Sequence, residues 1–167
     1  MADAPLSERE VLSECLAVLG SPIAHSQSPG IHSAAYAKLG LDWEYGRARL
    51  EADELEAFLN SREADWRGFS LTMPLKEEAH RLSTVLDPVA TESGVVNTLL
   101  RIASDTSGTP RWAGFNTDVA GLAAAITAAG LDVTSTVVLG SGATAVSAIL
   151  AARRLGAQHV EIVARNV

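Results

Sequence analysis

Val137–Ala145 reads VVLGSGATA, an apolar run that breaks into glycines and then into small residues. The run predicts a buried strand, the stretch through Arg154 a helix, and HVEIV (159–163) a second strand. Strand, Gly-rich turn, helix and strand make one βαβ unit. Gly140, Gly142 and Ala145 show the pattern G-x-G-x-x-A. They stand between a strand and a helix, the context that a dinucleotide fingerprint requires. Gly140 permits the tight turn, Gly142 lets the backbone approach a pyrophosphate, and Ala145 allows close helix–strand packing. The start of the helix adds free N–H groups and a dipole that favours an anion. Gly140, Ser141, Gly142, Ala143, Thr144 and Ala145 are therefore candidate cofactor-binding residues; a plain tight turn is the alternative.

The end of the next strand distinguishes the cofactors. Glu161 follows Gly142 by 19 residues, close to the spacing of an acid that would bond the ribose 2′-OH of NAD, but it falls early in its strand. At the carboxyl end stand Arg165 and Asn166. An arginine there accommodates a 2′-phosphate, which points to NADP; the alternative is a solvated arginine. A doubly wound nucleotide domain needs more strands than this one unit supplies. The sequence stops at Val167, so the expectation is an incomplete nucleotide domain.

Upstream, the pattern is different. CLAVLG, WEYGRARL and GFSLTMP read as strands, separated by helices at Pro29–Leu39 and EADELEAFLNS. LKEEAHRL reads as a further helix, DPVATESG as a short helix or turn, and VVNTLLRI with DTSGTPRWAGF as a hairpin. Alternating elements followed by an antiparallel pair predict a mixed sheet covered by helices. NTDVAGLAAAITAAG predicts an Ala-rich helix near a domain boundary.

The 167 residues are 47% hydrophobic, which suits one domain or slightly more and excludes disorder. A net charge of −7 argues against nucleic acid and fits a soluble, cytoplasmic protein. No stretch approaches the roughly 20 apolar residues that span a bilayer. The acidic, polar start is unlike a signal peptide. The single cysteine, Cys15, permits no internal disulfide and reads as a small core residue. His25, His32, His80 and His159 show no metal-ligand spacing, so no metal is expected.

Several polar residues of the first part are candidates for chemistry. Ser28-Pro29 reads as a helix start, with Ser28 as the N-cap. That leaves Ser26 unexplained. Two hydroxyls beside helix N–H groups either punctuate the chain or hold a carboxylate or phosphate. Lys76 falls at a helix start, where the dipole disfavours a cation, with Thr72 just before it. Both read as site candidates or as ordinary exposed residues. Asn97 interrupts an apolar strand and needs partners if buried. Asp118 sits in the first turn of its helix, where Asn116 or Thr117 could simply be caps.

Together these segments resemble the shikimate dehydrogenase family. The matching blocks are GSPIAHSQSPGIHSAAY, GFSLTMPLKEEA, SGVVNTL, GFNTDVAGL and VLGSGATAVSAILA, in the family's order and with similar spacing. The resemblance implies NADPH-dependent, reversible reduction of 3-dehydroshikimate to shikimate, in aromatic amino acid biosynthesis. It implies that Ser26 and Ser28 bind the substrate carboxylate. Thr72 and Lys76 then contact the ring hydroxyls, Asn97 and Asp118 are further substrate-binding residues, and Lys76 and Asp118 are catalytic. Gly140 to Ala145 would hold NADP, with Arg165 and Asn166 at its 2′-phosphate. Many members carry asparagine where Ser70 stands, so that contact is weaker or remade here. The family chain continues well beyond this one.

The expected fold class is accordingly α/β. Residues 1–117 form a mixed-sheet substrate domain. Residues 118–167 form a linker helix and the start of a Rossmann-like NADP-binding domain. The partner is a small molecule, with no nucleic acid and no membrane, in a monomer or homodimer. Quinate as a further substrate, and a catalytically incomplete shikimate-binding fragment, are the alternatives.

Overall fold

A computed structural model describes residues 14–165. The apolar run before Gly20 becomes β1 (Glu14–Gly20), whose last four residues are buried. It is followed by α1 (Ser28–Leu39), β2 (Trp43–Arg49), α2 (Leu55–Asn60) and β3 (Trp66–Leu71). Then come α3 (Lys76–Leu82), a two-residue β4 (Val85–Leu86), α4 (Pro88–Ser93), β5 (Thr98–Ser104) and β6 (Pro110–Phe115). These strands form a six-stranded sheet in the order β2-β1-β3-β5-β6-β4. β1 pairs parallel with β2 and β3, whereas β3–β5 and β5–β6 are antiparallel, so the sheet is mixed as the sequence predicts. β4 is too short for a periodicity argument to find; it adds a parallel edge to β6.

The expected strand VVNTLLRI begins later than its apolar pattern, at Thr98. Val95 and Val96 are buried in the approach to it, and Asn97 stands immediately before its first residue. Apolar burial and ladder pairing thus separate at this point. Cys15, expected in the core, is half-buried, with Asp65 Oδ2 3.6 Å from its Sγ. Burial and that carboxylate push its thiol up, away from reactive thiolate.

The main core lies on one face of the sheet, where Leu19, Leu55, Leu75, Leu99 and Phe69 are buried together. Phe69 stacks on Trp66 at 5.2 Å and tilts against Trp112 at 5.3 Å. This fixes β3, and with it the segment 72–76 that follows. That segment is also tied to β1, because Thr72 N–H donates to Leu19 O (2.9 Å) and Ser21 N–H donates to Met73 O (2.9 Å). Gly20 makes the approach possible: a Cβ there would lie 2.3 Å from Thr72 Cγ2 and 2.9 Å from Met73 O. Gly20→Ala is expected to cost about 1–3 kcal/mol, by overpacking against a backbone oxygen. Thermal melting checks this; an unchanged Tm would contradict the close approach.

After β6 the chain enters α5 (Asp118–Ala128), β7 (Ser135–Leu139), α6 (Ala143–Arg154) and β8 (His159–Val163). β7 and β8 pair in parallel, from Ser135 with His159 to Leu139 with Val163, which gives the predicted βαβ unit. α6 packs on α5 through Val119, Leu150 and Ala151. Among the described residues, no helix is long and apolar enough to cross a membrane.

Candidate active site

The opening turn of α1 reverses the roles expected of its two serines. Ser28 is the first helical residue, not the cap; the cap position is Gln27, whose side chain makes no capping bond. It is Ser26 Oγ that accepts from Ser28 N–H, at 3.3 Å. The physical reason is backbone geometry. Gln27 is already helical, with φ −88° and ψ −8°. A hydroxyl reaching forward to a first-turn N–H must therefore start one residue earlier. The Ser28 hydroxyl is left to face the cavity described below.

Lys76 begins α3, as its position after Pro74 predicts. The dipole penalty on a cation there is answered from another element. Lys76 Nζ donates to Asp118 Oδ2 at 2.6 Å, with side-chain exposures of 11% and 33%. So short a bond is that of a charge-assisted pair. Asp118 opens α5, where its carboxylate also meets the positive end of the helix. Its other oxygen, Oδ1, accepts from Asn97 Nδ2 at 2.6 Å. Asn97 Oδ1 in turn accepts from Thr117 N–H at 3.1 Å. The amide that breaks the apolar pattern is thus a brace between two elements.

Asn116 completes the support. It is 3% exposed, and its Oδ1 accepts from Asp118 N–H at 3.0 Å. Its Nδ2 donates to Ser93 Oγ (2.9 Å) on α4 and to Ser147 Oγ (3.2 Å) on α6. The cap position is Thr117, whose side chain makes no capping bond; Asn116, one residue earlier, is the residue of NTD that holds the first helical N–H. It also links the helix of Asp118 to the helix of the Gly-rich turn.

Three cavities meet at Lys76, and two of them hold most of the candidate residues on their walls. One, of about 360 Å³, is lined by Ser26, Ser28, Thr72, Lys76, Asn97 and Asp118, together with Ser70 and His25. Every substrate-contact candidate read from the sequence therefore faces a single space. The second, of about 420 Å³, has Thr72 and Lys76 on one side and Gly140 to Ala145, apart from Ser141, on the other. The sequence reading does not single out Tyr45, which donates to Ser70 Oγ at 2.7 Å. Its one signal is its inward position in the alternation of β2.

The Gly-rich turn has the properties its sequence demands. Gly140 has φ +114°, a conformation open to glycine and strained for other residues. Its N–H donates to Val163 O at 2.8 Å, which anchors the turn to the end of β8. Gly142 is extended, with φ −83° and ψ −178°, and precedes the first residue of α6. No side chain caps this helix, and a Cβ on Gly142 would meet nothing within 4 Å. Open space beside free helix N–H groups fits a phosphate group. Arg165 lies two residues beyond β8, exposed, on the side of the sheet end to which the turn is anchored. Asn166 falls outside the described residues. Glu161 sits mid-strand opposite Val137, away from the strand end.

Residues 18–99 match the family model described as the shikimate dehydrogenase substrate binding domain. A shikimate dehydrogenase (NADP(+)) from Prochlorococcus marinus is 33% identical over 152 residues, covering 90% of this chain and 51% of that protein. One from a Nostoc species is 35% identical over 159 residues, covering 93% of this chain and 53% of that protein. Among solved structures, Mycobacterium tuberculosis shikimate dehydrogenase is similar with a TM-score of 0.78 and 40% identity, over 92% of this chain and 55% of its own. The Thermus thermophilus enzyme in complex with NADP(H) and shikimate gives a TM-score of 0.79 at 35% identity, over 92% of this chain and 56% of its own. The chain thus spans about half the length of the curated relatives it matches.

Proposed function

We propose that this chain belongs to the shikimate dehydrogenase family, binds shikimate and serves its NADP-dependent, reversible oxidation to 3-dehydroshikimate. The observation that carries this reading is the place of Lys76. It is paired with Asp118 at 2.6 Å and stands on the wall shared by the serine-lined cavity and the cavity of the Gly-rich turn. An alcohol in the first cavity would have its carbon turned towards the second, and its oxygen beside an ion pair.

In this reading residues 1–117 are the substrate domain, and residues 118–167 are the linker helix and the start of the cofactor domain. The hydroxyl of Ser28 and that of Ser26, at the start of α1, receive the substrate carboxylate. Thr72, Asn97, Asp118 and Lys76 orient the ring hydroxyls. Oxidation of a secondary alcohol removes a hydride from carbon and a proton from oxygen. NADP, when bound along Gly140–Ala145, supplies the hydride acceptor. Lys76 and Asp118, held within hydrogen-bond reach of each other, take up the proton as a pair: Lys76 passes a proton to the Asp118 carboxylate as it receives that of the hydroxyl, and its charge stabilises the oxygen. Arg165, with Asn166, is the candidate contact for the 2′-phosphate. The setting is aromatic amino acid biosynthesis in the cytoplasm.

Calorimetric titration of the chain with shikimate tests the reading directly, with quinate, NADP and NAD as further arms. Shikimate and NADP are expected to bind. Loss of both would overturn the function, and preference for quinate or NAD would redirect it. Ser26→Ala is expected to weaken shikimate binding about tenfold or more, since it removes a hydrogen bond to a charged group. Its Tm should change little, because the bond Ser26 makes within the protein is long, at 3.3 Å. A large fall in Tm with unchanged affinity would make Ser26 a structural residue only.

A further inference from the structure

Among the described residues the Tyr45 hydroxyl has one partner, Ser70 Oγ, and it donates to that oxygen at 2.7 Å. Burial raises the Tyr45 phenol above its ordinary value, with Ser70 opposing, so it remains protonated and a donor. A serine hydroxyl that accepts in this way has its own hydrogen left to give. Among the described residues Ser70 has no acceptor for that hydrogen, and it lines the cavity of Ser26, Lys76 and Asp118. From this geometry we infer that Tyr45 is a positioning residue, which fixes Ser70 as a hydrogen-bond donor towards an oxygen of the bound substrate.

The phenol is itself held firmly. Tyr45 is 8% exposed, and its ring stacks on His32 at 3.9 Å, with the planes 9° apart. His32 Nδ1–H donates to the Ser28 carbonyl at 2.8 Å, one turn back along α1. Tyr36 packs edge-on against His32, at 6.0 Å between ring centres. The ring of Tyr45 thus rests on the helix that carries one wall of the cavity, while its hydroxyl sets the polarity of a residue on the opposite wall. This gives the pocket a selectivity that its outline alone does not. At Ser70 it favours a ligand oxygen with a free lone pair, because one serine lone pair is taken by Tyr45 and the serine hydrogen is left to give. The inference rests on the proposal that shikimate occupies this cavity.

The test is a double-mutant cycle on shikimate affinity, using Tyr45→Phe, Ser70→Ala and the pair. Tyr45→Phe keeps the ring and its stack on His32 and removes only the hydroxyl. Each single change is expected to raise the Kd about threefold to tenfold, the worth of one net hydrogen bond. The double change should be no weaker than Ser70→Ala alone, because Tyr45 acts only through Ser70. Additive losses, or a Tyr45→Phe protein within twofold of the unmodified one, would overturn the assignment while leaving shikimate binding intact. A tyrosine that serves only stability would lower the Tm without this coupling, and that outcome also overturns it. Absence of shikimate binding by the unmodified protein would remove the functional reading and this inference together.

Discussion

Replacing Lys76 with methionine is expected to lower NADP-dependent oxidation of shikimate by about a thousandfold, within the range for loss of a positioned acid–base or charge-stabilising group. Methionine retains most of the apolar stem that lysine buries, so cavity shape is nearly kept. Asp118 keeps its bond from Asn97 Nδ2 at 2.6 Å and the amide support of Asn116. Ser26 and Ser28, across the cavity, are untouched. Shikimate affinity should therefore fall no more than about tenfold, and the loss should appear in kcat. Lys76→Arg separates the two roles of the ammonium. A guanidinium pairs with Asp118 but does not exchange its proton near neutral pH. Recovery by arginine would assign electrostatic stabilisation; continued loss would assign proton transfer. Turnover by Lys76→Met within fivefold of the unmodified protein would remove Lys76 from the chemistry.

Much of this arrangement is legible in the sequence, for reasons that differ between residues. The Gly-rich turn is local: its geometry depends on the strand before it, the helix after it and three small residues, all contiguous. Gly140 takes the positive φ that its place in the pattern demands. The mixed sheet is also legible, since the hairpin between β5 and β6 follows helix-linked strands whose apolar runs suit parallel pairing. The serine cap is not. Assigning it to Ser28 uses residue preference, while the actual bond depends on whether Gln27 is already helical, which no propensity decides at one position.

Long-range polar contacts are the least legible. Lys76 and Asp118 each look singular at a helix start, but their pairing spans 42 residues and follows from the placement of α3 and α5 on the sheet. Ser70, read alone, is expected to make a weaker or remade contact. Beside Tyr45 it becomes an oriented donor. Tyr45 itself carries the signal of an ordinary inward strand residue, because a phenol in an aromatic cluster has the same pattern whether or not its hydroxyl is used. Sequence indicates which polar residues lack a local explanation; only the packed sheet supplies the partners.

Gly142→Val is expected to abolish measurable NADP binding, a loss of about a hundredfold or more, while leaving the fold and shikimate affinity almost unchanged. The two glycines of the turn differ in a way that makes this a strong test. Gly140, at φ +114°, resists any side chain for reasons of backbone strain. Its replacement by alanine should cost about 1–3 kcal/mol and lower the Tm. Gly142 is extended, a conformation that valine adopts readily, and an added Cβ meets no protein atom within 4 Å. The protein's own stability reason for glycine there is the preference of a helix cap for glycine over valine, about 1 kcal/mol or less. What valine would fill is the open space in front of the first N–H groups of α6, where a pyrophosphate must approach the backbone. The serine-lined cavity does not include Gly142, so shikimate should still bind. Calorimetry with each ligand, beside thermal melting, reads all three quantities. A Gly142→Val protein that binds NADP as the unmodified chain does would show that the turn is structural and that the cofactor lies elsewhere.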